Sequence, residues 1–247
     1  MNALPAASIL DSFSGAFQFI FHQHEQTACV ASNGLFCAGW AADNLDRYVG
    51  PFFKQAELVV ISVGIGFAIA LVLALLSHRN RWLIPPVLGF TGVLYTIPSI
   101  AFFFLLLPIT GFGTDTAVIA LSAYTLQIIY RNIMAGLANV PGGAKDAGRG
   151  MGMSERQLLW RVELPLAVPE LVAGLRIATV STVALATLAV FAGGGGLGSQ
   201  IVAGSNITFR TGVITAGGIA ILMAMGFDAL LVGAQRLLTP WRRARPG

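Results

Sequence analysis

The sequence predicts an all-α, polytopic membrane protein, and three observations lead to this fold class. Of the 247 residues, 55% are hydrophobic and only 11% are charged, whereas a soluble domain carries about 25% charged residues. Long apolar runs recur along the chain, and most basic residues gather on one side of them. No run alternates polar and apolar residues, which argues against a membrane β-barrel. A bundle of membrane-spanning helices fits all three observations.

Five apolar runs are long enough to cross a bilayer, since a spanning helix needs roughly 20 mostly apolar residues. Backbone groups in lipid must be hydrogen-bonded within their own segment, so each run is predicted to be a helix. The predicted spans are residues 58–76, 83–107, 116–138, 168–191 and 212–238. Together they define a membrane domain over residues 57–240. Pro98 within the second span and Pro108 just after its end predict a kink in that helix.

The distribution of basic residues predicts the orientation. Eleven of the 15 Lys and Arg residues follow the first span, lie between the third and fourth, or follow the fifth. Only Arg47, Lys54 and Arg210 lie on the other side. Because cytoplasmic loops carry the excess of positive charge, the N-terminus is predicted outside and the C-terminus inside, with a basic cytoplasmic tail over residues 241–247. The net charge of +4 therefore reflects topology rather than nucleic-acid binding.

Residues 1–56 form the predicted extracytoplasmic segment, and its first part has the spacing of a short amphipathic helix. The apolar residues on one face are Ile9, Leu10, Phe13, Phe17, Ile20 and Phe21. We expect this helix to lie in the membrane interface, or alternatively to pack on the flank of the bundle. No basic region precedes an uninterrupted apolar stretch, so no cleavable signal peptide is expected.

The two cysteines, Cys29 and Cys37, also lie in this segment. Outside the cytoplasm such a pair can form a disulfide, and two free thiols are the alternative. His22 and His24 are nearby in the sequence, but no four-ligand spacing frames them with the cysteines. No metal site is therefore predicted.

No motif for catalysis or nucleotide binding is evident in the chain. Residues 193–198 read GGGGLG and match G-x-G-x-x-G formally, but a dinucleotide site needs that pattern between a strand and a helix. The phosphate-binding pattern G-x-x-x-x-G-K-[ST] is absent, as are H-E-x-x-H and G-x-S-x-G. The chain is not predicted to be an enzyme. Energy for active transport has to come from another chain or from an ion gradient.

The connection between the third and fourth spans, residues 139–165, has the pattern of a rigid helix–turn–helix. Pro141 is suited to begin the first helix because an N–H at that position has no partner within the helix. Ser154 and Gln157 form an S-x-x-Q capping box that begins the second helix. Pro165 is predicted to end it.

Three glycines, Gly148, Gly150 and Gly152, lie near the predicted turn. Their small bulk would let the backbone of another protein approach closely. We therefore expect a separate soluble partner to dock on this loop, and a solvated loop without a partner is the alternative.

The spacing within this loop resembles the EAA loop of ATP-binding-cassette importer permeases, which reads E-A-A, three residues, G, nine residues, I-x-L-P. The matching positions are Asp146, Ala147, Gly148, Gly152, Val162, Leu164 and Pro165. Asp146, Gly148 and Val162 depart from the pattern conservatively. The resemblance implies contact with a separate ATPase through Asp146, Ala147, Gly148, Gly152, Met153, Ser154, Leu164 and Pro165.

Further segments resemble the permeases that import osmoprotectants such as glycine betaine, choline, carnitine or proline. They are residues 95–99, 149–153, 162–166 and 193–198. The resemblance implies a cell-membrane permease with the five-span fold of type I importers. It also implies a complex with a second permease, identical or paralogous, two cytoplasmic ATPases that bind ATP and Mg²⁺, and an extracytoplasmic binding protein. No cofactor is expected in this chain.

Polar and aromatic residues within the spans are candidates for the translocation pathway, because such residues tend to face the bundle interior or a cavity. They are Tyr95, Thr96, Ser99, Tyr124, Gln127 and Phe191. Ordinary packing and hydrogen bonding between helices is the alternative for each. Arg176 and Asp228 lie at comparable depth in the fourth and fifth spans, so we expect them to pair, or each to extend to the inner interface.

Two other classes of membrane protein compete with the importer permease. A secondary transporter driven by an ion gradient usually has two similar halves, which five spans do not provide. A scaffold or receptor that does not transport would not need the glycine-lined loop. A permease for another small solute is the alternative on substrate.

Overall fold

The computed structural model describes residues 29–239, and over these residues the chain is helical, without a β-strand. The helices are α1 (Ala38–Asp43), α2 (Asp46–Arg79), α3 (Ile84–Thr96), α4 (Ser99–Thr110), α5 (Thr114–Ala138), α6 (Gly142–Gly150), α7 (Glu155–Leu158), α8 (Leu164–Ala186), α9 (Leu197–Asn206) and α10 (Arg210–Leu238). A π turn (Leu159–Glu163) joins α7 to α8, and 3₁₀ turns (Arg81–Leu83 and Thr187–Ala192) precede α3 and follow α8. The predicted amphipathic helix near the N-terminus, His22 and His24, and the tail 241–247 lie outside the described residues.

Three helical segments are long and apolar enough to cross a membrane, namely Asp46–Arg79, Glu155–Ala192 and Arg210–Leu238. The pair α3 and α4 is a fourth candidate if its two halves count as one span. The predicted third span corresponds to α5, whose 25 residues are long enough but whose polar side chains keep it out of this group. α2 begins before the predicted span at residue 58 and reaches a length of about 51 Å.

α5 lies at the centre of the bundle, packed against α2, α3, α4 and α8. Its side chains Thr116, Ser122 and Thr125 are buried, and the hydroxyl of Tyr130 donates a hydrogen bond to Oγ of Ser77 on α2 at 2.8 Å. A helix surrounded by other helices can carry such groups because protein, and not lipid, surrounds them. The central position therefore explains why α5 is less apolar than the segments around it.

Small residues bring the three central helices into close contact. At Gly66 of α2, an added Cβ would lie 1.7 Å from Oγ1 of Thr125 on α5. At Gly174 of α8, an added Cβ would lie 2.4 Å from Cβ of Asn132 on α5. Membrane helices are held together largely by such close van der Waals packing. α2, α5 and α8 therefore form the tightly packed centre of the described structure.

The prediction of a single kinked helix over residues 83–107 is wrong. The chain breaks at Ile97 and Pro98 into α3 and α4, which meet at 99°. Proline disfavours helical backbone in the residue before it, and the hydroxyl of Tyr124 on α5 donates to the carbonyl that Ile97 leaves free. Each half is under about 20 Å long, too short to cross a bilayer alone. Pro108 lies inside α4 without ending it.

Pro165 does not end the second helix of the 139–165 loop, contrary to the prediction. It lies in the first turn of α8, and the helical segment continues from Glu155 to Ala192. A proline cannot donate to the carbonyl four residues earlier, and its ring crowds that carbonyl. The wider π turn immediately before α8 accommodates the ring. The loop is therefore continuous with a segment that is long and apolar enough to cross the membrane.

Candidate partner-docking element and translocation pathway

The α6–α7 element consists of α6, a turn at Gly152 and α7. Pro141 is the N-cap of α6, and Ser154 is the N-cap of α7. In the capping box, the N–H of Gln157 donates to Oγ of Ser154 at 3.3 Å, and the N–H of Ser154 donates to Oε1 of Gln157 at 2.9 Å. Gly152 has a φ of +77°, a left-handed conformation that other residues rarely adopt. Local sequence thus determines the shape of this element.

The three glycines of the element have different roles, and the prediction that all three leave room for a partner is wrong for Gly148. Gly148 is buried, and an added Cβ would lie 2.6 Å from Cδ1 of Leu158. It lets α6 pack closely on α7. Gly150 is exposed, and an added Cβ there would meet nothing within 4 Å. Gly150 therefore leaves an open surface, whereas Gly148 serves internal packing and Gly152 serves the turn.

The exposed surface of the element lies around residues 146–151. The side chain of Asp146 is 79% exposed, Ala147 is exposed, and Met151 is 70% exposed. Nε of Arg149 donates to Oε1 of Glu155 at 3.2 Å, and this hydrogen bond raises the pKa of Arg149 above its ordinary value. The surface therefore combines small, apolar and permanently charged groups.

The other predicted contact residues are less accessible to a partner. Met153 is half-buried beside Gly148. Leu164 and Pro165 are half-buried in the first turn of α8. Ser154 is exposed, but its hydroxyl is engaged in the capping box. The structure therefore separates the exposed Asp146, Ala147, Gly150 and Met151 from Leu164 and Pro165.

Glu163 joins the α6–α7 element to the bundle, a contact that the sequence did not predict. Its side chain is 5% exposed, with Oε2 at 2.8 Å from Nε2 of His78 and Oε1 at 3.7 Å from Nζ of Lys145. The His78 ring is not aligned for a hydrogen bond to Oε2. Lys145 also donates to the carbonyl of Leu137 at 3.3 Å. One buried carboxylate thus connects α2, α6 and the π turn, and Lys145 extends the connection to α5.

An aromatic cluster of Tyr95, Phe102 and Tyr124 lies beside the break between α3 and α4. The ring centroids of Tyr95 and Tyr124 are 6.1 Å apart, and those of Phe102 and Tyr124 are 5.7 Å apart, both in edge-to-face geometry. Tyr95 is 47% exposed, whereas Tyr124 is buried. The structure therefore brings two of the predicted pathway residues together at the bend.

The other predicted pathway residues meet neighbouring backbone or helices. Thr96 and Ser99 flank the break, and the Thr96 hydroxyl donates to a carbonyl of its own helix at 2.8 Å. Gln127 of α5 accepts a hydrogen bond from Thr91 of α3. Phe191 is 37% exposed in the 3₁₀ turn after α8, which packs against α4. Thr96 is thus hydrogen-bonded within its own helix, and Gln127 is hydrogen-bonded to a neighbouring helix.

Arg176 and Asp228 form an ion pair between α8 and α10. Nε of Arg176 lies 2.8 Å from Oδ1 of Asp228, and Nη2 lies 2.9 Å from Oδ2. This paired geometry matches the planar guanidinium to the carboxylate. Asp228 also borders a largely apolar cavity of about 760 Å³ between α8, α9 and α10. Each charge is therefore compensated within the bundle.

The glycine run 193–196 forms the turn that leads into α9, and three of its glycines have φ between 75° and 79°. Gln55 of α2 is completely buried beside it. The N–H of Leu197 donates to Oε1 of Gln55 at 3.1 Å, and Nε2 of Gln55 donates to the carbonyl of Val183 at 2.9 Å. The run therefore serves a backbone turn. Gln55 follows Lys54 and lies before the span predicted from residue 58, so no signal in the sequence indicated that its side chain is buried.

A disulfide joins Cys29 to Cys37, and the loop that it closes, the 29–37 loop, packs on the turn between α9 and α10. Nδ2 of Asn33 donates to the carbonyl of Thr208 at 2.6 Å. The N–H of Cys37 donates to Oγ1 of Thr211 at 3.0 Å. The loop is thus attached to the first turn of α10. Within residues 29–239, no group of three or more His, Cys, Asp or Glu side chains could hold a metal ion.

Comparison with known proteins identifies the family. Residues 63–244 match the family described as binding-protein-dependent transport system inner membrane component. The choline transport system permease protein OpuBD of Bacillus subtilis (strain 168) is 34% identical over 204 residues, which cover 82% of this chain and 88% of that protein. The osmoprotectant import permease protein OsmW of Salmonella typhimurium is 38% identical over 207 residues, which cover 80% of this chain and 94% of that protein.

Solved structures of ABC transporters share the fold. An inward-facing structure of the MetNI methionine ABC transporter matches with a TM-score of 0.68 at 22% identity, covering 81% of this chain and 97% of that one. A crystal structure of an amino acid ABC transporter with histidines matches with a TM-score of 0.67 at 20% identity, covering 79% and 95%. The family predicted from the EAA-like loop is confirmed, and in this family the ATPase is a separate subunit. The chain belongs to the binding-protein-dependent inner membrane permeases of ATP-binding-cassette importers.

Proposed function

We propose that the chain carries a small osmoprotectant across the membrane, of the kind represented by glycine betaine, choline, carnitine or proline. The observation that carries this proposal is the set of relatives described above. Proteins named for the transport of choline, carnitine or osmoprotectants are 34–38% identical over 76–82% of the chain. A permease for another small solute, with the same architecture, is the alternative.

Transport of this kind requires an assembly. It contains two cytoplasmic ATPases that bind ATP and Mg²⁺, a second permease that is identical or paralogous, and an extracytoplasmic binding protein. Asp146, Ala147, Gly150 and Met151 support docking of the ATPase, because they form an exposed surface on a rigid element. This chain itself requires no cofactor.

Five membrane crossings complete the proposal, supplied by α2, the α3–α4 pair, α5, α8 and α10. The segment 1–56 then lies outside and the tail 241–247 inside. The disulfide between Cys29 and Cys37 supports this orientation, because disulfides persist outside the cytoplasm. The basic residues around the α6–α7 element support a cytoplasmic position for its end of the bundle.

ATP binding would close the ATPase pair and move the α6–α7 elements of the two permeases together. The helical segment Glu155–Ala192 and the contact of Glu163 with His78 connect this element to α8 and α2. The spans would then rock as rigid bodies between inward- and outward-facing states. The binding protein would bind the outward-facing state preferentially and so shift the equilibrium toward it.

The substrate chemistry suits tight binding by the binding protein and weaker contacts in the permease. A quaternary ammonium group is attracted to the faces of aromatic rings, and we assign the tight aromatic cage to the binding protein. In this chain, Tyr95 and Tyr124 provide aromatic surface at the α3–α4 bend. Together with the other pathway candidates, Thr96, Ser99, Gln127 and Phe191, they would give weak contacts that let the solute pass.

Uptake of labelled glycine betaine, choline, carnitine and proline tests the substrate class. Cells without osmoprotectant uptake of their own would express the chain with its binding protein and ATPase. We expect uptake of at least one of the four solutes, dependent on the ATPase. An assembled complex that takes up none of them would contradict the substrate class, and uptake without the ATPase would favour an ion-gradient mechanism.

Gly150→Gln, examined in the same cells, tests the docking surface. The new side chain would project from the exposed face of α6, so we expect ATPase co-purification and uptake to fall severalfold while the permease still folds. Gly143→Gln is the matched control, since Gly143 is also an exposed glycine of α6 with nothing within 4 Å of an added Cβ. If the ATPase co-purifies with both variants as well as it does with the wild type, docking at residues 146–151 is contradicted.

A further inference from the structure

A groove between the last turns of α2 and the α7 end of the α6–α7 element has no role in the transport steps proposed above. It encloses about 710 Å³. The residues that define this α2–α7 groove are Leu75, His78, Arg79, Arg156, Leu159 and Trp160. The groove is distinct from the exposed surface at residues 146–151, since it is formed against α2.

The groove carries positive charge that the described protein groups do not compensate. Arg79 and Arg156 are both exposed, and neither forms an ion pair with a carboxylate among residues 29–239. Glu155 also borders the groove, but its carboxylate is engaged by Arg149 at 3.2 Å. Two guanidinium groups are therefore available to an anion.

The rest of the groove is apolar and lies where a membrane interface is expected. Leu75 and Leu159 are half-buried, and Trp160 is 55% exposed. Arg79 is the last residue of α2, a helix long and apolar enough to cross the membrane. Tryptophan side chains concentrate where the hydrocarbon meets the headgroups. An occupant that matches this groove combines an anionic head with apolar chains.

We propose that the α2–α7 groove binds an anionic phospholipid. Its phosphate lies between the guanidinium groups of Arg79 and Arg156, and an acyl chain lies along Leu75, Leu159 and Trp160. Guanidinium groups suit this role because they donate paired hydrogen bonds in the geometry of phosphate oxygens. The bound lipid connects the end of α2 to the α6–α7 element, next to the contact between His78 of α2 and Glu163 of the π turn.

Native mass spectrometry of the full-length chain in mild detergent tests this site. The chain is equilibrated with phosphatidylglycerol or phosphatidylcholine, and the retained lipids are counted. We expect the chain to retain phosphatidylglycerol preferentially. Its affinity for this lipid should fall about fivefold in each of Arg79→Gln and Arg156→Gln, because one basic residue at an anionic lipid surface changes the binding constant by about this factor. Arg79→Lys keeps the charge but loses the paired hydrogen bonds, so its affinity should lie between those of the wild type and Arg79→Gln.

Arg161→Gln is the matched control, because Arg161 is exposed on the adjoining π turn but does not line the groove. Equal retention of phosphatidylglycerol by Arg79→Gln and Arg161→Gln would overturn the proposal, as would equal retention of phosphatidylcholine and phosphatidylglycerol. Displacement of the lipid by millimolar inorganic phosphate would identify a site for a free anion instead. Loss of ATPase co-purification from Arg79→Gln, with lipid retention unchanged, would identify a protein contact and also overturn it.

Discussion

At the scale of single residues, Gln55 completes two backbone hydrogen bonds that the surrounding helices leave open. The N–H of Thr187 donates to the carbonyl of Ala184 as α8 tightens into its 3₁₀ turn, so the carbonyl of Val183 loses the donor that an α-helix would supply. The N–H of Leu197 begins α9 and has no partner within that helix. The buried amide of Gln55 meets both groups.

Gln55→Leu should destabilise the fold by about 2–6 kcal/mol, because each of two buried backbone groups left unpaired costs roughly 1–3 kcal/mol. We expect a lower unfolding temperature for the chain purified in detergent, and faster hydrogen exchange at the amide of Leu197. Gln200→Leu is the control, since the half-buried Gln200 makes no side-chain hydrogen bond among the described residues. If Gln55→Leu unfolds at the same temperature as the wild type, the buried amide is dispensable for stability.

At the scale of elements, the 29–37 loop and α1 attach the chain before α2 to the beginning of α10. Trp40 of α1 packs edge-to-face on Phe209, with ring centroids 4.7 Å apart. The guanidinium of Arg47 lies 5.8 Å from the centre of the Trp40 ring. α10 is largely exposed to its surroundings over its apolar stretch. The disulfide-closed loop therefore holds the first turn of α10, whose later turns pack on α8 and α9.

The double variant Cys29→Ser/Cys37→Ser should release this attachment. A disulfide that closes so short a loop contributes about 2–3 kcal/mol in the chain-entropy model. We expect tryptic cleavage after the exposed Arg210 to accelerate tens of times, because cleavage follows the population of the open form.

Reductant supplies the control for the disulfide prediction. It should raise the cleavage rate of the wild-type chain to that of the double variant, and it should leave the double variant unchanged. If neither the double substitution nor reductant changes the cleavage rate, the loop stays attached through its hydrogen bonds alone.

At the scale of the whole molecule, force applied to the α6–α7 element has two routes into the bundle. One is the continuous helical segment Glu155–Ala192. The other is the buried carboxylate of Glu163, which faces His78 at the end of α2 and Lys145 on α6. An unpaired charge left in such a site is costly, so the contact resists separation. We therefore expect the element to move as one body with α2 and α8.

Glu163→Gln should uncouple ATP hydrolysis from transport, because it removes the charge that holds His78 and Lys145. We expect the ATPase to co-purify as in the wild type and to hydrolyse ATP, while solute uptake falls severalfold. Glu170→Gln is the matched control, being a half-buried glutamate further along α8 without a described ion pair. Unchanged uptake per ATP in Glu163→Gln would remove this carboxylate from the coupling route.

Local sequence by itself determined the class of the protein and the shape of the α6–α7 element. Long apolar runs predict helices in a membrane because the backbone has no other partners there. The capping box at Ser154 and Gln157 and the left-handed turn at Gly152 depend on residues within a few positions of each other. The spacing of the EAA-like loop was sufficient to indicate the family, which the comparisons confirmed.

Only the tertiary structure decided which residues of one element contact which residues of another. The 99° bend at Pro98 is held by Tyr124 from another helix, and Gly148 turns inward because Leu158 packs on it. Gln55 meets Val183 at a sequence separation of 128 residues, and Glu163 meets His78 from a different span. Their partners lie on other elements, so no local periodicity or cap could have predicted them. The sequence therefore determines that these segments are membrane helices and fixes the local caps, whereas packing in three dimensions decides where the helices break and which polar groups connect them.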